Sequence, residues 1–254
     1  MLKVETLTKS FGGVTAVSDV TFEVTRGTIH AVIGPNGAGK TTLFNLITGV
    51  YTPSSGSIRF EGLEVGGEAP EKLAALGMSR TFQNLQISMN LSAIENVMTG
   101  AHLGLNSSVI AGLLGLASLG GREKATRIRA AEAMEFVGCG AYIAADARSM
   151  PYGALKRLEI ARALMANPRI LFLDEPAAGL NHTETHEIEE LIAQLGKTGV
   201  TVVLVEHDMK LVMNVSDRIV VLDYGKKLAE GAPDEIRVNP DVVAAYLGAE
   251  SEGV

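Results

Sequence analysis

A glycine-rich segment between a predicted strand and a predicted helix constrains this chain more than any other feature. Residues 34–41 read Gly-Pro-Asn-Gly-Ala-Gly-Lys-Thr and match the phosphate-loop pattern G-x-x-x-x-G-K-[ST]. The apolar run Ile29–Ile33 precedes the segment, and Lys40–Thr48 predicts a helix. Glycines let N–H groups point at phosphate oxygens, and the helix N-terminus adds its positive dipole end. Lys40 would then neutralise the β- and γ-phosphates, and Thr41 would offer its hydroxyl to Mg²⁺.

Acidic residues and a histidine follow two other predicted strands. Asp174 and Glu175 come directly after the buried-type run Ile170–Leu173, and His207 follows Val200–Val205. Beside a phosphate loop, one carboxylate can hold Mg²⁺ and the next can polarise a water for attack on the γ-phosphate. A neutral imidazole can donate a hydrogen bond to a γ-phosphate oxygen. Together with the phosphate loop, these residues indicate nucleotide hydrolysis.

The order of predicted elements indicates an α/β fold with a helical insertion. Short β-rich runs come first, and the last third alternates helices with the continuous apolar strands that are typical of parallel sheets covered on both faces. Between them, residues 93–147 show a helical pattern, with an amphipathic helix over Arg122–Val137. Asp223–Lys226 predicts a hairpin turn near the C-terminal end.

Composition and charge exclude several classes of protein. Lys and Arg number 22 against 29 Asp and Glu, and the formal net charge of −7 argues against a dedicated nucleic-acid-binding protein. The single cysteine, Cys139, excludes an intramolecular disulfide. The first residues lack a signal-peptide core, and the apolar stretch Val109–Leu119 has about half of the length that a membrane-spanning helix needs. We therefore expect a cytoplasmic chain.

The motifs together resemble the ATP-binding subunits of ABC transporters over nearly the whole chain. Their order is the phosphate loop, Gln83, Tyr152–Gly153, Asp174–Glu175 and His207. The resemblance implies a P-loop NTPase core with an N-terminal antiparallel β lobe and an inserted helical subdomain.

The same resemblance implies a single domain over residues 1–254. Its catalytic α/β core would comprise residues 1–83 and 155–254. The helical subdomain, with the signature loop of the family, would cover residues 84–154 approximately.

The resemblance also implies a role for each matching residue. Phe11 is similar to the aromatic residue that stacks on adenine, and Gln83 to the lid glutamine that reaches Mg²⁺. Asp174 resembles the magnesium ligand, Glu175 the catalytic base and His207 the switch histidine. The implied nucleotide-binding loop comprises Gly34, Pro35, Asn36, Gly37, Ala38, Gly39, Lys40, Thr41 and Thr42, and the implied metal ligands are Thr41, Gln83 and Asp174.

Two further segments are implied to act across a dimer interface, where two subunits of this family enclose two ATP molecules. The signature loop comprises Met150, Pro151, Tyr152, Gly153 and Ala154, and the interface loop includes Gly179, Leu180 and Asn181. The usual signature reads Leu-Ser-Gly-Gly-Gln, so this loop departs from the family pattern at Pro151, Tyr152 and Ala154. The backbone of Gly153, at a predicted helix N-terminus, is expected to face phosphate.

Several segments resemble the branch of the family that imports branched-chain amino acids. They are Arg80–Asn84, Leu91–Val97, Glu175–Asn181, Ala229–Gly231 and Asn239–Gly248. The expected function is the ATP-hydrolysing motor of an importer for branched-chain or other hydrophobic amino acids, with ATP and Mg²⁺ as cofactors. The implied partners are membrane permease subunits, a second ATPase subunit of the same or a related chain and, indirectly, a substrate-binding protein. Its implied place is the inner face of the cell membrane.

Two alternatives remain open at this point. One is the ATPase of a lipid or lipopolysaccharide extraction system or of another export system, and the other is a nucleotide sensor without a transport role. The transported substrate, the choice between a homodimer and a heterodimer, and the effects of Pro151 and Ala154 on activity do not follow from the sequence.

Overall fold

Two β-sheets frame the part of the chain that the structure describes. The computed structural model describes residues 1–101 and 118–251. Its strands are β1 (Leu2–Phe11), β2 (Val14–Val24), β3 (Ile29–Ile33), β4 (Ser55–Phe60), β5 (Leu63–Glu64), β6 (Met78–Arg80), β7 (Ile170–Asp174), β8 (Thr201–Val205), β9 (Arg218–Asp223) and β10 (Lys226–Gly231).

Helices connect and cover these strands. They are α1 (Lys40–Ile47), α2 (Pro70–Ala75), α3 (Ala93–Thr99), α4 (Ser118–Phe136), α5 (Tyr152–Leu164), α6 (His182–Lys197), α7 (Met209–Val215), α8 (Pro233–Arg237) and α9 (Pro240–Ser251), with short 3-10 turns at Gly140–Tyr142 and Ala147–Ser149. None of the helices within the described residues is long and apolar enough to cross a membrane. The apolar stretch noted at residues 109–119 lies largely outside the described residues.

The first sheet is antiparallel and has the strand order β2-β1-β4-β5. Along β1, Leu2, Val4 and Leu7 are fully buried, whereas the residues between them are exposed or half-buried. This near alternation places one face of the sheet on the core and leaves the other face to solvent.

The second sheet has the order β10-β9-β3-β8-β7-β6 and is parallel except for the β9–β10 hairpin. Every residue of β3, β7 and β8 is buried, because helices or the other sheet cover both faces. In the register, Val205 at the end of β8 lies between Val32 of β3 and Asp174 of β7. The carboxyl ends of these three strands therefore meet at one edge.

One hydrophobic core joins the first sheet, α1 and one face of the second sheet. Phe44 of α1 packs edge-to-face on Phe172 of β7, with ring centroids 5.6 Å apart. Val4 and Ile58 bring the antiparallel sheet to the same core, and both are fully buried. This packing holds α1, and with it the loop that precedes the helix, against the ends of the parallel strands.

The chain divides into two compact units, residues 1–80 with 169–254, and residues 81–168. The first unit contains both sheets, and the second contains α3, α4 and α5. In the second unit, Ser92 caps α3: its hydroxyl accepts a hydrogen bond from Glu95 N–H, and the Glu95 carboxylate accepts one from Ser92 N–H.

Candidate functional site

The phosphate loop connects β3 to α1 and requires glycine at two positions. Gly34 has φ +150°, and a Cβ atom there would lie 2.1 Å from the Leu222 carbonyl oxygen. Gly39 has φ +96°, and a Cβ atom there would lie 2.5 Å from the Ala16 carbonyl oxygen. The loop is thus packed directly on the backbone of β2 and β9, which any side chain at these two positions would displace.

Residues far from the phosphate loop in the sequence support it through hydrogen bonds and packing. Gly225 N–H donates to the Ala38 carbonyl oxygen at 3.1 Å, and Ser18 N–H donates to the Gly225 carbonyl oxygen at 2.7 Å. Tyr246 of α9 lies beside the backbone of Gly34, and burial raises the pKa of its phenol to about 12. The last part of the chain therefore helps to shape the loop.

Lys40 is the first residue of α1 and is 8% exposed. Its ammonium group donates to the carbonyl oxygens of Gly34 and Pro35 at 2.7 and 2.9 Å. Burial lowers the pKa of Lys40, and the nearby carboxylate of Glu175 raises it in opposition. One residue further, Thr41 is exposed in the first turn of the helix. The Lys40 ammonium group and the Thr41 hydroxyl are thus available beside the backbone amides of the phosphate loop.

Asp174 ends β7 and is almost fully buried. Its Oδ2 accepts a hydrogen bond from Arg80 Nη2 at 2.6 Å. The Nη1 of Arg80 donates to Asn45 Oδ1 and Thr48 Oγ1, both at 2.7 Å and both on or next to α1. Arg80 therefore ties the acidic residue to the helix that follows the phosphate loop.

Glu175 and His207 follow the ends of neighbouring strands. Glu175 has φ +46°, and its N–H donates to the Val205 carbonyl oxygen at 3.0 Å. The His207 side chain is 62% exposed, whereas the preceding Glu206 is fully buried. The edge of the second sheet thus presents a half-buried carboxylate and an exposed imidazole near the phosphate loop.

Phe11 lies at the end of β1 and is 44% exposed. Tyr51 packs on it edge-to-face with ring centroids 5.3 Å apart, and the Lys9 ammonium lies 5.0 Å from the Phe11 ring centroid. The ring is therefore accessible and held in place, which suits stacking on a planar base.

Gln83 is exposed and belongs to the second unit. Charged side chains of α5 form hydrogen bonds with the backbone of Gln83 and of the residues that follow it. Lys156 Nζ donates to the Gln83 carbonyl oxygen at 3.0 Å, and Glu159 Oε1 accepts from Gln86 N–H at 3.4 Å. Burial raises the pKa of Glu159, and Arg162 at 3.4 Å opposes that shift. Arg162 also donates to the Gln86 carbonyl oxygen. One face of α5 therefore fixes the backbone of residues 83–86.

The signature loop leads into α5 and is exposed only in part. Pro151 and Tyr152 are exposed, whereas Met150, Gly153 and Ala154 are buried. The Sγ of buried Cys139 donates to the Ala154 carbonyl oxygen at 3.4 Å. In this chain the accessible part of the loop is therefore Pro151–Tyr152 at the helix N-terminus.

The interface loop ends where α6 begins. Asn181 caps that helix, because its Oδ1 accepts from Thr183 N–H and Glu184 N–H at 3.0 and 3.1 Å. Gly179 is exposed with φ +78°, and Leu180 is half-buried. The loop that contains Gly179 thus leads from Glu175 to a fixed helix start.

One edge of the second sheet carries several site residues that were predicted from the sequence: the phosphate loop (residues 34–42), Asp174, Glu175 and His207. Gln83 and the signature loop lie in the second unit. Sequence reasoning gave no role to Arg80 or Glu206. For Glu206, the available signal was a charged residue directly after a buried strand. Arg80 gave no such signal, because its strand β6 has 3 residues and is too short to show periodicity.

A glycine loop between a buried parallel strand and a helix, with an acidic pair at the end of a nearby strand, defines a P-loop nucleotide-binding protein. Comparison with known proteins narrows the class. The family model described as "ABC transporter" matches residues 17–178, and the model described as "Branched-chain amino acid ATP-binding cassette transporter" matches residues 226–252. The chain belongs to the ABC transporter ATP-binding family.

Relatives resemble the chain along its whole length. It is 47% identical over 249 residues to the high-affinity branched-chain amino acid transport ATP-binding protein BraF of Pseudomonas aeruginosa, and 44% identical over 249 residues to LivG of Escherichia coli, with 98% of each chain covered in both comparisons. A solved nucleotide-free ATP-binding cassette from an ABC transporter has a TM-score of 0.84 at 31% identity, covering 97% of this chain and 98% of its own. The predicted fold class and the prediction of an ATP hydrolase of this family are confirmed.

Proposed function

We propose that this chain is the ATP-hydrolysing subunit of an importer for branched-chain or other hydrophobic amino acids. The observation that carries the proposal is the similarity to BraF and LivG over 98% of each chain. That similarity includes residues 226–252, which lie beyond the nucleotide-binding motifs and match the branched-chain amino acid model.

The phosphate loop is the proposed ATP site. The amides of residues 34–42 and the N-terminus of α1 would surround the phosphates, and the buried ammonium of Lys40 would neutralise them. Phe11, accessible and braced by Tyr51, would stack on adenine. Since Lys40 already contacts two loop carbonyl oxygens, phosphate oxygens would compete with those carbonyls for its N–H groups.

Two oxygen ligands suited to Mg²⁺ belong to the same unit as this loop, and a third is proposed from the second unit. Asp174 supplies a buried carboxylate and Thr41 an exposed hydroxyl, and Gln83 is the proposed third protein ligand. Among the described residues there is no group of three or more His, Cys, Asp or Glu able to hold a metal. The proposed ligands Asp174, Thr41 and Gln83 fit Mg²⁺, which is usually held by one or two carboxylates together with phosphates and water. When bound, Mg²⁺ neutralises phosphate charge.

Glu175 is the proposed base for hydrolysis and His207 the proposed γ-phosphate contact. The Glu175 carboxylate is half-buried and close enough to Lys40 to raise the pKa of that lysine. The exposed ring of His207 follows the neighbouring strand. Glu175 would orient and deprotonate water, while His207 would donate a hydrogen bond to a phosphate oxygen.

A second ATPase subunit, the same chain or a related one, is the proposed dimer partner. The signature loop 150–154 and the residues Gly179, Leu180 and Asn181 would contact the nucleotide site of that partner. Exposure of Pro151, Tyr152 and Gly179 supports this role, because a surface that contacts another subunit must be accessible. Closure around two ATP molecules would drive membrane permease subunits at the inner face of the membrane, with a substrate-binding protein delivering the amino acid.

Glu175→Gln tests the hydrolytic proposal. The variant should bind ATP with wild-type affinity and release phosphate at least about 100-fold more slowly, because an amide cannot accept the water's proton. Glu190→Gln on α6, where the Glu190 side chain is 71% exposed, is the matched control and should keep the wild-type rate. Phosphate release by Glu175→Gln at the wild-type rate would overturn the assignment of the base.

Uptake and co-purification test the transport proposal. Cells that lack this chain should regain uptake of radiolabelled leucine with the wild-type chain and not with Glu175→Gln. A tagged chain, extracted gently from membranes, should retain permease subunits and a second ATPase. Recovery with a lipid-handling membrane partner, or with none, would instead favour an extraction ATPase or a nucleotide sensor.

A further inference from the structure

A buried carboxylate links the two loops that contain the proposed catalytic residues. Glu206 follows β8, immediately precedes His207, and is fully buried. Its Oε1 accepts a hydrogen bond from Ala177 N–H at 2.8 Å. Its Oε2 accepts from His207 N–H at 3.0 Å and from Asp208 N–H at 3.4 Å.

These contacts span two separate segments. Ala177 lies two positions after Glu175, in the loop that follows β7, whereas His207 and Asp208 follow β8. Asp208 also begins α7, since its Oδ1 accepts from Lys210 N–H and Leu211 N–H. One side chain thus connects the acidic loop to the histidine loop and to the start of α7.

The chemistry of the contacts favours a carboxylate specifically. All three partners are N–H donors, and an ionised carboxylate has only acceptor sites, on both oxygens. A glutamine at this position would turn an NH₂ group toward one of the two loops, where it would face a donor. A buried ionised group is retained at a cost unless its hydrogen bonds are satisfied, and these N–H groups satisfy it.

Backbone geometry next to Glu175 makes this tie important for alignment. Glu175 has φ +46°, a conformation that side-chain-bearing residues rarely adopt, and its N–H donates to the Val205 carbonyl oxygen. The hydrogen bond at Ala177 is a second anchor, on the other side of Glu175, and helps to hold this conformation in place. Val205 and Glu206, which are adjacent at the end of β8, therefore both accept hydrogen bonds from the loop that contains Glu175.

We propose that Glu206 is a positioning residue for ATP hydrolysis, which holds the Glu175 loop and the His207 loop in a single fixed arrangement. Glu206 acts through these neighbours and does not contact nucleotide. The inference rests on the proposed function, since it assigns Glu206 to the hydrolytic step of that same site. None of its three partners belongs to the phosphate loop, so the affinity for ADP, which lacks the γ-phosphate that His207 would contact, should not depend on Glu206.

Glu206→Gln in the full-length chain tests the proposal through the split between kcat and KM. The kcat should fall at least about tenfold, because misplacement of a catalytic group by ~1 Å costs up to about 100-fold. The KM for ATP should stay within roughly twofold, because the phosphate loop and Lys40 keep their ground-state contacts with ATP, whereas the contacts of Glu175 and His207 matter mainly in the transition state. Affinity for a fluorescent ADP analogue should likewise be unchanged.

Glu61→Gln is the matched control, because the Glu61 carboxylate also accepts hydrogen bonds but lies in a turn of the first sheet, paired with Arg26. It should leave both kcat and KM at wild-type values. A Glu206→Gln variant with wild-type kcat would overturn the proposal, as would a KM that rises in proportion to the loss of kcat. A wild-type chain that hydrolyses no ATP would instead contradict the proposed function.

Glu206→Asp keeps the test decisive if the glutamine variant does not fold. The aspartate retains the charge but is one methylene shorter, so it cannot reach both loops. We expect the same loss of kcat at unchanged KM, with a cooperative thermal transition. Wild-type kcat in Glu206→Asp would mean that a buried charge, and not the connection between loops, is what this position requires, and the proposal would be wrong.

Discussion

Arg80 Nη2 lies 2.6 Å from Asp174 Oδ2, and the two side chains are 9% and 5% exposed. The pair forms because β6 and β7 are parallel neighbours, with Arg80 in register with Phe172. Arg80 also stacks over the Phe44 ring, 5.8 Å from its centroid. The proposed magnesium ligand is therefore oriented by a buried cation that is anchored to α1.

Replacement of Arg80 by alanine should destabilise the protein strongly. It would leave the buried Asp174 carboxylate without this partner, and removal of one member of a buried ion pair costs roughly 3–5 kcal/mol. Chemical denaturation at pH 7 measures the loss. Arg26→Ala is the control: the Arg26–Glu61 pair has the same 2.6 Å separation, but the Arg26 side chain is 62% exposed. The control should cost less than about 1 kcal/mol. Equal losses in the two variants would contradict the structural role assigned to Arg80.

Lys40→Ala should weaken ATP binding by about 100-fold, the value of a charge-assisted hydrogen bond to phosphate. Isothermal titration of the full-length chain with MgATP measures the change. Lys72→Ala, which removes an exposed lysine paired with Glu68, should bind as the wild type does. Retention of wild-type affinity by Lys40→Ala would show that phosphates bind elsewhere.

Introduction of the usual signature glutamine at position 154 should destabilise this chain. Ala154 is 2% exposed, and its carbonyl oxygen already accepts from Cys139 Sγ. A longer side chain must displace its neighbours, so Ala154→Gln should lower the free energy of unfolding by roughly 1–3 kcal/mol. Ala125→Gln, on an exposed part of α4, should be nearly neutral. An Ala154→Gln variant of wild-type stability and higher ATPase rate would mean that the loop opens to admit the glutamine.

His30 should make the fold sensitive to acid. The ring is 1% exposed on β3, its Nδ1 has no hydrogen-bond partner within residues 1–101 and 118–251, and burial lowers its pKa from 6.5 to about 4. Between pH 6.5 and 4, His30 is therefore protonated in the unfolded chain and neutral in the folded chain. The contribution of His30 to stability is nearly constant well above pH 6.5 and falls as the pH approaches 4, by about 2 kcal/mol at pH 5.

Urea denaturation at pH 7 and pH 5 checks this expectation. His30→Leu should lose about 2 kcal/mol less than the wild type between the two pH values. His186→Gln removes a histidine whose side chain is 66% exposed and should retain the wild-type difference. An unaltered pH dependence in His30→Leu would assign acid sensitivity to other groups.

Local sequence patterns predicted the elements around the phosphate loop well. β3 is Ile29–Ile33 as expected, and α1 covers Lys40–Ile47 within the predicted Lys40–Thr48. The predicted helix at Arg122–Val137 corresponds to α4, Ser118–Phe136. These elements follow from continuous apolar runs and helical periodicity, which are properties of neighbouring residues.

Side-chain partners could not be predicted in the same way. Arg80 and Asp174 are 94 positions apart, and Ala177 and Glu206 are 29 apart. Nothing in either local segment specifies the other, because the pairing depends on which strands become neighbours in the second sheet. The burial of Gly153 and Ala154 likewise depends on packing within the second unit, and not on the motif in which they occur.

The phosphate loop follows from local sequence, because glycine conformations and a helix start are set by residues in direct succession. Local sequence also determined which acidic pair and which histidine follow buried strands. The contacts of Arg80 with Asp174, and of Glu206 with the two loops at the end of β8, depend instead on how the chain folds in three dimensions. The strand order β3-β8-β7-β6 brings those groups together, because it pairs strands that lie far apart in the sequence.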